Sequence, residues 1–295
     1  MTENNRHLTF SQRNGLAPIP QPLKLGYISD EFRKTCWNLF YLIIFDGQKK
    51  TSLENKSRYY NKKSGHFINQ SLAEFFKESI DETPKWTKYC EKKYKNLFLS
   101  EEYDKILDFI EYILRIFPQL FSIDPFLNIF KKNLLAYTIV DEKCPTIVPA
   151  ATPEEGETIR QAFEAAKEDK YEPVRKHLRK SAERINANQP ADAMRESIHA
   201  VESVLRIVTD EKDFNKALQK FKTSHRIHKA LKGAFEKLYG YTSDEPGIRH
   251  GLGDQPESPA GMDEAVFMLG TCAAFVGYVI RKSPALGAVA APGEG

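Results

Sequence analysis

Residues 144–153 read CPTIVPAATP and residues 152–155 read TPEE, and the fold turns on this junction. Three prolines in ten residues with no charged side chain predict an extended connector, because proline removes a backbone donor and fixes φ. Directly after it, Thr152 and Glu155 have the spacing of a capping box and Pro153 sits at the first helical position. A helix over 153–166 is therefore predicted. Composition changes at the same place, from Asn, Lys, Phe and Tyr on one side to Ala, Glu, Arg and Val on the other. The expectation is a chain of two modules, 1–143 and 153–283, joined by a linker at 144–152 and followed by a disordered tail at 284–295.

Working back from the junction, residues 1–27 carry three prolines and two glycines and predict an irregular arm. Ser29 is placed to cap a helix in which Phe32, Cys36, Leu39, Phe40 and Ile43 recur at helical spacing until Gly47. Further helices are predicted over 72–80, from a Ser100 cap to Pro118, and over 126–140 behind Asp124 and Pro125. Working forward, helices are expected over 174–185, 191–208, 213–221, 225–239 with Gly240 as its stop, and 263–281. The fold class is thus all-α, two helical domains, with a long loop before the last helix.

The chain has 295 residues, 41% of them apolar and 28% charged, the balance of a globular protein. The polar, proline-broken first twenty residues predict no signal peptide. The most apolar run, 265–280, is short for a bilayer and is expected to be a buried core helix. A cytoplasmic protein without membrane association follows from these features. Four cysteines with no CxxC pair predict reduced thiols. No metal and no cofactor are expected.

The net charge of +3 is unevenly spread, with twelve Lys and Arg against seven Asp and Glu between Asp46 and Lys95. Tyr59, Tyr60, Trp86, Tyr89 and Tyr94 are interleaved there. Lys49, Lys50, Lys62, Lys63, Lys92, Lys93 and Lys95 are the candidate nucleic-acid contacts, since cations beside rings suit a phosphate backbone with stacked bases. The same composition also fits a solvated lysine face with its aromatics turned inward.

Two patterns carry candidate chemistry. On the 191–208 helix, Arg195, His199, Glu202 and Arg206 form one polar stripe, opposite an apolar face of Met194, Ile198, Val201, Leu205 and Val208. Such a stripe fits a solvated or dimer-facing ionic network, and Arg195, His199 and Glu202 are also a secondary candidate site. Between 240 and 262 lies a stretch with neither helical nor strand periodicity, GYTSDEPGIRHGLGDQPESPAG. It sets Arg249 beside His250 among glycines, with Glu245 and Asp254 close in sequence. A guanidinium forks onto phosphate, an imidazole exchanges a proton near neutral pH, and glycines admit a substrate backbone.

The stretch GIRHGLGD ahead of a long alanine-rich apolar helix resembles the HEPN superfamily, in particular the C-terminal modules of abortive-infection proteins. Arg249 matches the arginine of that family's motif and His250 its second, polar position. Gly253, Asp254 and Gln255 stand where the motif has its histidine. The stretch FSQRNGLAPIP followed by ISDEFRKTCWNLFYLII resembles the N-terminal domain of AbiJ-type abortive-infection proteins over most of residues 8–140. Together the resemblances imply a metal-independent ribonuclease toxin in antiphage defence. It would work as a homodimer on RNA, tRNA among the candidates, with an antitoxin or regulatory protein as a further partner. Arg249 and His250 would be catalytic, with Asp254 or Glu245 orienting the imidazole. The alternative is a noncatalytic HEPN-like module that binds RNA or a partner protein.

Overall fold

The computed structural model describes residues 10–16, 23–46, 62–82, 87–141, 143–244 and 261–283. Among them are twelve α-helices and a single two-stranded sheet, so the protein is all-α. Contacts divide it into two compact units, one from Met1–Ala136 with Glu142–Ile147, the other from Tyr137–Asp141 with Val148–Gly295.

The first unit holds α1 (Phe10–Arg13), α2 (Asp30–Ile44), α3 (Lys62–Glu74), α4 (Thr87–Ser100), α5 (Tyr103–Ile116) and α6 (Ile123–Lys132). Ser29 caps α2 by accepting from the Phe32 amide at 3.1 Å. The phenylalanines supply the core, and Phe40 lies at its centre. Its ring is 5.0 Å from Tyr94, 5.3 Å from Phe98, 5.7 Å from Phe109 and 5.8 Å from both Phe67 and Phe121. Each buried ring of this kind contributes about 1.5–3 kcal/mol over leaving it in water. Tyr94 shares a hydrogen bond of 2.5 Å with Ser71, which satisfies its buried hydroxyl. Arg33 donates to the Glu101 carbonyl at 2.7 Å, just past the end of α4.

Several boundaries differ from the expected ones. The 72–80 helix lies earlier, as α3, and Lys77 beyond it has φ of 57°. Helix α4 covers a basic stretch for which no helix was predicted. Ser100 closes α4 and caps nothing; α5 starts at Tyr103 without a side-chain cap. The helix expected over 126–140 stops at Lys132. Leu134 then turns at φ 49° and the chain becomes strand β1, Tyr137–Val140, where the β-branched residues Thr138, Ile139 and Val140 favour a strand.

Residues 146–149, expected as part of a connector, form strand β2 (Thr146–Pro149), all four residues buried and paired with β1. Five intervening residues can join only antiparallel neighbours, so the pair is a hairpin. The first half of β2 is held by α5. Glu111 accepts from the Ile147 amide at 2.7 Å, and Arg115 donates to the Pro145 carbonyl at 2.6 Å and to Thr146 Oγ1 at 3.0 Å.

The second unit contains β1, α7 (Pro153–Ala165), a 3-10 turn (Asp169–Tyr171), α8 (Glu172–Asn186), α9 (Pro190–Thr209), α10 (Phe214–His225), α11 (Lys229–Asp244) and α12 (Met262–Lys282). The capping box at α7 forms: Thr152 Oγ1 accepts from the Glu155 amide at 3.1 Å. Gly240 lies inside α11 and does not end it. Asp213 caps α10, accepting from the Lys216 amide at 2.9 Å.

Helix α12 packs along α9, α7 and α8. By length and composition it could cross a membrane, but 67% of its apolar window is buried within the protein. Its central Cys272 thiol is pushed up to about 12 by burial. Gly156 admits α7 against β1, since a Cβ there would stand 3.0 Å from that of Thr138.

Candidate functional site

Helices α8 and α9 are joined by three residues and pack antiparallel, with a buried bond of 2.7 Å between Ser181 and Ser197 at their contact. Small residues at that level, including Ala182, Ala193 and Ala200, let the helices approach closely. One and two turns away, the longer polar side chains therefore meet. His177 of α8 is hydrogen-bonded through Nδ1 to Glu196 Oε2 of α9 at 2.6 Å. The His199 ring lies 5.3 Å from that of His177, edge to face. His199 Nε2 is 4.0 Å from Glu202 Oε2, and Glu202 Oε1 accepts from the Tyr239 hydroxyl of α11 at 3.0 Å. Tyr239 is itself stacked on Phe214 at 3.8 Å.

The stripe seen in sequence thus becomes a cluster spanning three helices. Arg195 forms an ion pair with Asp192 at 2.7 Å, one turn earlier on α9, and Arg206 is exposed. The side chains of His177, Glu196, His199 and Glu202 are between 18% and 32% exposed, so the cluster is open to solutes. Chemically it offers two imidazoles, one oriented by a carboxylate, and a second carboxylate held by a tyrosine. Such groups move protons or ligate a cation.

His177 and Glu196 were missed in the sequence. The readable signal was Glu196-x-x-His199, which puts both on one helix face. His177 is visible only once α8 lies against α9.

Arg249, His250, Asp254 and Glu245 fall outside the described residues, as do Lys49 and Lys50 and the 284–295 tail. Lys62 and Lys63 open α3. On α4, Lys92 and Lys95 are exposed, whereas Lys93 pairs with Glu78 and lies 4.6 Å over the Phe76 ring. Tyr94 faces the core, where burial raises its hydroxyl well above the usual phenol range, so it offers no stacking surface. A depression along α10 is lined by Lys216, Lys220 and small polar side chains, with no imidazole or carboxylate among them.

Fold and site define an all-α protein in which an aromatic-cored helical unit precedes a helical bundle bearing a histidine–carboxylate cluster. Residues 8–165, more than half of the chain, match the AbiJ N-terminal domain 4 family, and the chain belongs to that family. This ties it to abortive infection. The match runs past the hairpin to Ala165, the last residue of α7. No curated protein and no solved structure matches the chain.

Proposed function

We propose that the chain is a cytoplasmic abortive-infection effector that cleaves RNA without a metal, its family domain being followed by a HEPN-like module over 153–283. One observation carries this reading beyond the family. Arg249 and His250 lie in sequence between α11 and α12, and both of those helices pack on α9. Tyr239 of α11 is bonded to Glu202 of α9. Arg249 and His250 thus stand in sequence directly ahead of the last long helix, the place the resemblance gives its motif.

In the mechanism, His250 removes the 2′-hydroxyl proton and the 2′ oxygen attacks phosphorus. The 5′ oxygen leaves with a proton, yielding a 2′,3′-cyclic phosphate. Arg249 steadies the charge on the phosphorane, and Asp254 or Glu245 orients the imidazole. A homodimer would bring two such loops to one cleft. A second reading, a noncatalytic module binding RNA or a partner protein, is favoured by Gly253, Asp254 and Gln255 standing where the motif has its histidine.

Incubation of the purified protein with total RNA or tRNA in EDTA separates the two. Cleavage by wild type that is lost in Arg249→Ala and His250→Ala supports the enzyme. Identical behaviour of wild type and both variants removes it and leaves the binding module, which a filter-binding measurement with the same RNA then tests.

A further inference from the structure

We infer that His177, Glu196 and His199 form a binding site for a divalent transition-metal ion that clips α8 to α9. Glu196 and His199 are one turn apart on one face of α9, and His177 meets them from the facing helix. Each offers one ligand atom, and the three atoms lie within 4.8 Å of one another. Metal–ligand bonds of about 2.0–2.1 Å place tetrahedral donors roughly 3.3–3.4 Å apart. The His177–Glu196 separation of 2.6 Å and the 4.8 Å limit bracket that value. The three donors meet at a common centre if their separations change by about 1.5 Å or less. The ion takes the place of the proton shared between His177 Nδ1 and Glu196 Oε2.

The surroundings agree. Glu202 Oε2 lies 4.0 Å from His199 Nε2, and Tyr239 holds the other oxygen of that carboxylate at 3.0 Å. Oriented carboxylates of this kind are the usual support of a metal site. Arg195, whose charge would oppose a cation, is engaged by Asp192. Two imidazoles with carboxylates and no thiolate select zinc, nickel, copper, cobalt or iron over magnesium and calcium. Partial exposure of every donor gives the ion a path in without backbone movement. Because α8 and α9 are separate helices, occupancy stabilises the folded unit, which alone presents all the donors.

The test uses full-length protein stripped with chelator and titrated with Zn²⁺, and separately with Co²⁺ for its visible ligand-field spectrum. One equivalent per chain, a rise in Tm and a Co²⁺ spectrum with nitrogen and oxygen ligation are expected. His177→Ala and His199→Ala should each weaken Zn²⁺ binding by about tenfold or more. Glu196→Gln, which preserves shape and the hydrogen bond, should weaken it as well. All three positions are part-exposed, so folding of each variant is expected and is checked by circular dichroism. Absence of Zn²⁺ uptake by wild type overturns the site. So does a folded His177→Ala/His199→Ala double variant that binds Zn²⁺ as wild type does, since other histidines would then hold the ion. The inference is independent of the RNA reading: cleavage in EDTA tests that one, and Zn²⁺ uptake tests this one.

Discussion

Gly270 of α12 faces Glu155 of α7 so closely that a Cβ at Gly270 would collide with the carboxylate, with Glu155 Cγ and Cδ both 3.0 Å away. Glu155 has no slack, because its Oε2 accepts from the Ala151 amide at 2.7 Å at the start of α7. Gly270→Ala should therefore cost about 1–3 kcal/mol, the range for overpacking a close contact. Gly233 within α11 has nothing within 4 Å of a Cβ. Gly233→Ala should instead stabilise by about 0.5–1 kcal/mol through helix propensity. Urea unfolding of the two variants side by side checks both signs.

Burial raises the Glu155 carboxyl above its ordinary value of 4.5, with the amides of Ala151 and Thr152 pulling the other way. A carboxyl whose folded value is raised holds its proton more tightly when folded. Its contribution to stability is present below 4.5 and is lost as pH climbs through the folded value. Glu155→Gln should thus gain stability relative to wild type as pH climbs from below 4.5 through the raised folded value. A constant difference across that range in chemical denaturation would exclude the raised value.

Asp141 ends β1 at φ 60° and pairs with Arg179 of α8, its side chain only 6% exposed. Arg179 keeps a second partner, Glu172, at 2.7 Å. Asp141→Ala therefore loses a largely buried ion pair without leaving the guanidinium unpaired. It also places a β-carbon residue lacking a compensating side-chain bond in the left-handed region. A loss of about 2 kcal/mol is expected, and a Tm within a degree or so of wild type would argue against it.

Phe40 is fully buried and lies against seven aromatic rings. Phe40→Ala should cost about 3–5 kcal/mol, as a ring-sized cavity in so rigid a cluster collapses poorly. Calorimetry on the full chain measures it.

If the first unit touches RNA through α4, reversal of charge at Lys92 and Lys95 should weaken binding and lower the slope of log K against log salt by about 1 to 2. Lys93→Glu should behave differently. Its ammonium is paired with Glu78 and lies over Phe76, so that variant loses stability as well. Unchanged salt dependence in the Lys92→Glu/Lys95→Glu protein would point to a protein-contacting face.

The sequence by itself determined what depends on neighbours along the chain. Ser29 and Thr152 with Glu155 mark helix starts because a cap is a bond across three residues. The apolar period of 191–208 fixes which face of α9 is buried. Tertiary structure decided the rest. The apolar Thr146–Pro149 reads as a connector until β1 supplies its hydrogen-bonding partner and α5 supplies Glu111. His177 and Glu196 stand nineteen positions apart, and nothing local relates them. Only the antiparallel packing of α8 on α9, set by Ser181 and Ser197 at the contact, puts the imidazole on the carboxylate. Local rules govern bonds that the backbone closes within a turn; the cluster depends on contacts between helices that the chain makes only when folded.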